Sequence, residues 1–152
     1  MAHWHDGPAV LRIGADPGVT PREVPCEVAR EVPCEVPLEI AASYRARTRG
    51  LLGRDGIAGA MLLTPAASVH TFGMRFAIDV AHLDRGLRVL SVVTMRPGRI
   101  GLPRPRARHV LEAAAGSMAG WGLAAGAVVE VDLSGVSPAA RSCRVPAVGW
   151  GG

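Results

Sequence analysis

Four side chains of this 152-residue chain have the chemistry for acid–base work: His70, Asp79, His109 and Glu112. A histidine oriented by a carboxylate can take or give a proton near neutral pH, and a second carboxylate can hold a water or a cation. His70, Asp79 and Glu112, with His109 beside them, are therefore the candidate catalytic set. Nucleophilic catalysis has no visible agent, because no serine or cysteine sits in a GxSxG elbow. Metal spacing is poor: His109 and Glu112 form an H-x-x-E, but on a strand they face opposite sides. No cysteine belongs to a CxxC pair. Neither a metal nor a cofactor is expected. The competing reading makes Asp79 and His70 structural, tying loop backbone to sheet through hydrogen bonds.

A second set is cationic. Arg75, Arg96, Arg99, Arg104 and Arg106, with Arg47 and Arg49, could line a cleft for an anion, a carboxylated ligand or a partner's acidic segment. The planar guanidinium fork suits carboxylate and phosphate. Arg47, Arg49, Thr71, Met74 and Arg75 are the candidate ligand-binding residues, although Met74 also reads as core. The plain alternative for the loop arginines is a solvated face.

The elements that must position these groups center on Val69–Asp84. From Arg75 the polarity alternates, with Phe76, Ile78 and Val80 on one face of a strand and Asp79 on the other. Leu87–Val93 follows the Arg85-Gly86 turn signal, so the two runs read as a hairpin. Ser43 is a helix N-cap for Tyr44–Leu52, stopped by Gly53. Ala60–Thr64 reads as a buried strand, His109–Ala113 as another, and Ala127–Leu133 as the last; Gly116–Gly122 reads as a short helical turn. Arg96 to Arg106 is a basic, proline-rich loop. Met1–Thr20 shows no clean periodicity and reads as a frayed arm. Glu23–Val28 recurs as Glu31–Val36, and its prolines make it an extended arm or an edge strand at best. Leu38–Ala42 starts the domain.

Composition bounds the rest. Hydrophobic residues make up 49% and charged ones 20%, a globular balance. All 17 basic residues are arginine. A total absence of lysine looks more like codon bias in a GC-rich genome than like a nucleic-acid surface, and stacking aromatics are scarce. Three cysteines, an odd count, argue against a disulfide framework and for reduced thiols. Met1–Asp16 does not read as a signal peptide, and glycines interrupt the uncharged run Ala113–Val129. A soluble, cytoplasmic protein, monomer or homodimer, is the expectation.

Three blocks resemble a known family. Arg49-Gly50-Leu51-Leu52-Gly53-Arg54, Val69–Val80 and Val110–Gly116 followed by Gly122–Gly126 are similar, in order and spacing, to the "RGLMGR", "HTFGMRFPIDVVFLD" and "VLEL-AG … GL-GD" elements of the DUF192 (UPF0127) family. The likeness runs from about Glu35 to Leu133. Three departures stand out. Ala77 replaces a proline, His82 stands where an aromatic is common, and Ala127 replaces an aspartate. The first two change packing and the third removes a carboxylate. The resemblance implies a compact α+β fold, mainly antiparallel sheet curled toward a barrel, with short helices. It implies no activity. The expected organization is an arm over residues 1–34, a domain over 35–134 and a loose tail over 135–152. The expected role is noncatalytic binding at an arginine-lined site; the alternative is a small hydrolase-like enzyme using a His70/Asp79 acid–base pair.

Overall fold

Residues 60–63, 78–83 and 109–113 are buried at every position, so the sheet they build has two buried faces. The computed structural model describes residues 3–14, 34–134 and 141–142. In chain order the elements are β1 (Gly7–Ile13), β2 (Cys34–Ala41), α1 (Tyr44–Arg49), β3 (Ala60–Leu63), β4 (Ile78–Leu83), β5 (Val89–Met95), β6 (His109–Ala114), α2 (Ser117–Gly120), β7 (Glu130–Asp132) and β8 (Arg141–Ser142). Seven strands follow one another as β5-β4-β6-β3-β2-β1-β7, and β8 pairs with β2. The β2–β3 and β2–β8 pairs are parallel and the others antiparallel. This is an α+β fold of mainly antiparallel sheet.

The sheet does not close into a barrel. Leu87–Val89 and Gly126–Val129 exchange backbone hydrogen bonds, but the edge strands β5 and β7 do not pair, so the sheet is not closed.

One face carries Leu11, Val36, Leu38, Ile40, Leu62, Ala81, Leu83, Leu111 and Ala113, covered by Met118, Trp121 and Leu123 of the α2 region. The other carries Met61, Leu63, Ile78, Val80, Met95 and Val110, covered by Leu51, Val69 and Met74. Successive residues of a strand point to opposite faces, so each of β3, β4 and β6 feeds both clusters.

Local signals explain the boundaries. Ser43 Oγ accepts the Ala46 N–H at 3.1 Å, the expected N-cap. Gly50, at φ 44°, ends α1 before the Leu52 that periodicity allows. In the β4–β5 hairpin Asp84 Oδ1 accepts the N–H groups of Gly86 and Arg88 at 2.8 and 3.0 Å, an aspartate turn.

Four readings of the sequence need correction. Residues 7–13, taken for an arm, form β1, with Leu11 fully buried; the signal was the short Ala9-Val10-Leu11 run, masked by flanking Gly and Pro. β2 starts at Cys34 and is an interior strand. It tolerates Pro37 because pairing to β8 stops at Glu35 and pairing to β3 begins at Leu38. Within the tail, Arg141–Ser142 forms β8. Cys34 is disulfide-bonded, not a reduced thiol. Its sulfur partner and residues 23–33 of the duplicated segment lie outside the described residues. An odd cysteine count does not prevent one pair from forming, and persistent cystines belong to oxidizing compartments, so cysteine usage gives the cytoplasmic expectation no support. Arg12 ties β1 to both neighbors, with Nε 3.0 Å from Glu35 Oε1 and Nη2 2.6 Å from Asp132 Oδ2.

Candidate functional site

Asp79 is 3% exposed and faces the α2 side of the sheet. Its Oδ1 accepts the Thr94 hydroxyl at 2.7 Å and its Oδ2 the backbone N–H of Met118 at 3.1 Å. The carboxylate thereby fastens β4 to β5 and to the start of α2. Glu112 lies on the other face: it pairs across the sheet with Val80 and Met61, both in the second cluster, whereas Asp79 pairs with Ala113 of the first. The sheet itself separates the two carboxylates. Burial pushes the Glu112 carboxyl up to about 7.

His70 is exposed in the loop before β4, stacked on Phe72 with ring centroids 5.4 Å apart. His109 is buried; its Nδ1 is 2.7 Å from Thr64 Oγ1 and its ring meets Trp4 edge-on. Burial and the charge of Arg108 depress its pKa. The four acid–base candidates thus stand in separate environments.

The ligand-binding candidates are also dispersed. Thr71 is fully buried; its Oγ1 donates to Arg96 O at 2.6 Å and accepts the Arg99 N–H at 2.9 Å. Met74 is packed in the second cluster. Arg75 is exposed and paired with Asp55 at 2.9 Å. Arg47 Nη1 donates to Pro65 O at 3.2 Å. Arg49 lines a cleft of about 670 Å³ between α1 and the end of β2. Arg45, Arg54, Asp6, Glu39 and Met61 line it too.

The charges of this cleft are unevenly matched. Arg54 and Glu39 form a two-pronged pair at 2.8 and 2.9 Å, which holds the Glu39 carboxyl below its usual range and raises Arg54. Asp6 Oδ1 accepts the N–H groups of Ala42 and Ser43 at 2.6 and 2.8 Å; hydrogen bonds from Ser43 and Ala42 keep it low. Both acids are therefore occupied. Arg45 and Arg49, one helical turn apart and exposed, form no ion pair among the described residues. Such a cleft can hold an anion; its one hydroxyl, that of Ser43, is engaged in capping α1. An i, i+4 spacing sets Arg45 and Arg49 on one face of a helix, but nothing in the sequence signals Asp6 or the Glu39–Arg54 pair. Among the described residues no group of three or more His, Cys, Asp or Glu is placed to hold a metal ion, and no helix is long and apolar enough to cross a membrane.

The model of the family DUF192, described as "Uncharacterized ACR, COG1430", matches residues 27–131. A UPF0127 protein of Pyrococcus horikoshii is 37% identical over 78 residues, covering 48% of this chain and 68% of that protein. One from Pyrococcus abyssi is 42% identical over 50 residues, covering 33% of this chain and 43% of that protein. Among solved structures, a protein of unknown function from Novosphingobium aromaticivorans superposes with a TM-score of 0.62 at 18% identity, over 80% of this chain and 83% of that one. That likeness is one of fold.

Proposed function

Because the chain belongs to the DUF192 family, which carries no assigned activity, we propose from its own geometry that it is a noncatalytic binding or accessory module. Its α1 cleft takes an anionic group, borne by a small ligand or by an acidic segment of a protein partner. One observation carries this reading: Arg45 and Arg49 lie one turn apart on the cleft and form no ion pair among the described residues, while Glu39, whose carboxyl also feels the charge of Arg49, is hydrogen-bonded to Arg54, and Asp6 to the Ala42 and Ser43 N–H groups. Two adjacent guanidinium groups repel each other mildly, and an incoming carboxylate or phosphate relieves that and gains charge-assisted hydrogen bonds. A hydrolase using His70 and Asp79 is not favored, since Asp79 already has both oxygens occupied and Glu112 lies across the sheet.

The test is thermal unfolding with a panel of anionic metabolites and an acidic peptide, for the wild type and for the double variant Arg45→Gln/Arg49→Gln. A ligand at one hundred times its Kd stabilizes by about 2.7 kcal/mol, a readily measured rise in Tm. The expected result is a rise in the wild type that the double variant loses while its unliganded Tm stays put. A rise that survives in the double variant, or a panel that never moves the wild type, ends the proposal.

A further inference from the structure

A second pocket, of about 520 Å³, opens where the loop after β5 folds over the end of β4. Its charged lining is Arg96, Arg99 and Arg104, with no acidic residue among the lining side chains. None of the three arginines forms an ion pair among the described residues. A surface loop that only needed solvation would not gather its cations round a concavity and leave them uncompensated.

The floor supplies the second observation. His82 lines this pocket, is 2% exposed, and its Nε2 is buried without a hydrogen-bond partner. Its Nδ1 lies 3.3 Å from Ser91 Oγ. The contact fits two tautomers; in the one whose Nδ1 accepts from the serine hydroxyl, the ring proton sits on Nε2. In that tautomer Nε2–H is a buried donor with nothing to donate to, an arrangement that costs about 1–3 kcal/mol and that a bound acceptor would remove. Burial and the charge of Arg104 lower the His82 pKa, which favors the neutral ring over a further cation.

The loop is also held in place. Thr71 binds its start through Arg96 O and Arg99 N, and its own N–H and C=O bond Arg99 O and Gly98 N, both at 2.8 Å. Farther on, Gly101 N–H bonds Val69 O at 2.8 Å and Arg104 N–H bonds Ala67 O at 3.0 Å. A Cβ on Gly101 would come 3.0 Å from Val69 O, which explains glycine at this close approach. The arginines are thus displayed from a framework fixed beforehand, which lowers the ordering cost of binding.

We propose that this pocket is a phosphate-binding site, in which Arg96, Arg99 and Arg104 surround the oxyanion and His82 Nε2–H donates to it from below. Three guanidinium groups around one space suit a multiply charged tetrahedral group better than a single carboxylate. The rim carries Ile100 and Leu102, 71% and 80% exposed, so the phosphate is that of a free phosphoryl compound or of a lipid headgroup whose chains the rim meets. The site is separate from the α1 cleft and does not depend on it.

The test is an amide and imidazole NMR titration of the full chain with inorganic phosphate at constant ionic strength. In a parallel arm, the protein is sedimented with phosphatidylcholine vesicles with and without phosphatidic acid. Arg104→Gln, His82→Phe and the control Arg85→Gln, which removes the same charge elsewhere, go through both arms. Saturable shifts at Gly98, Gly101 and the His82 ring, weakened about tenfold in Arg104→Gln and unchanged in Arg85→Gln, establish the free-phosphate site. Phosphatidic acid-dependent sedimentation lost in Arg104→Gln but not in Arg85→Gln, without a response to inorganic phosphate, establishes the lipid form. The proposal is overturned if neither arm responds, or if Arg85→Gln weakens binding as much as Arg104→Gln. It is equally overturned if His82→Phe, folded by its amide spectrum, binds in both arms as the wild type does.

Discussion

Replacing Asp79 separates a structural carboxylate from a catalytic one. Its two oxygens accept from Thr94 and from the Met118 N–H, and Met118 is fully buried. In Asp79→Ala the Thr94 hydroxyl, on an exposed residue, can turn to water, but the Met118 N–H cannot. Stranding that donor and losing its charge-assisted bond costs about 3 kcal/mol. For a chain of this length that is a fall in Tm of about 10 °C. Asp79→Asn keeps a carbonyl for Met118 and an amide that can donate to Thr94 Oγ1, so its cost is about 1 kcal/mol. His70→Ala removes an exposed ring stacked on Phe72 and costs no more than about 0.5 kcal/mol. Equilibrium denaturation of the three single variants and of the His70→Ala/Asp79→Ala double gives all these values. The reasoning is refuted if His70→Ala costs as much as Asp79→Ala, or if the double departs from the sum of the singles by more than about 0.5 kcal/mol, because residues without a shared partner should add.

Glu112 gives a pH signature of opposite sign to ordinary acid denaturation. Its folded pKa of about 7 lies above the ordinary 4.5, so between those values the folded state holds a proton that the unfolded chain has released. Stability from this group is full below 4.5, falls as pH rises toward 7, and by pH 8 has lost about 3 kcal/mol; Glu112→Gln should flatten this fall in Tm between pH 5 and 8, and an unchanged slope would contradict the assignment. At Gly59 an added Cβ would overlap the Pro37 carbonyl oxygen where β3 joins β2, so Gly59→Ala should cost about 2 kcal/mol. Urea midpoints measure it, and a cost below about 0.5 kcal/mol would mean the two strands can separate freely.

Periodicity and turn chemistry made much of the sheet readable. The Phe76–Val80 alternation, the Arg85-Gly86 turn and the Ser43 cap correspond to β4, the hairpin and α1. What could not be read was pairing between distant segments. β1 is short and bounded by Gly7-Pro8, and its apolar run gains meaning only between β2 and β7. The strand parity of Asp79 and Glu112 was legible separately, but not the register that sets Val80 opposite Glu112 and so puts the carboxylates on opposite faces. His82 was visible only as a histidine where an aromatic is common. Its unpartnered nitrogen was not, because that depends on Ser91 and on a loop some twenty residues away.

The position of β1 between β2 and β7, clasped by Arg12, sets a timetable for biosynthesis. Arg12 leaves the ribosome early, yet its partner Asp132 is 120 residues behind, roughly ten seconds of translation. The middle of the sheet waits as well, since β6 must insert between β3 and β4 after both have been made. Until then the nascent chain exposes unpaired edges on three apolar strands, and no intermediate length offers a complete sheet. Nascent chains stalled before β7 should therefore be protease-sensitive along most of their length, with protection arriving in one late step.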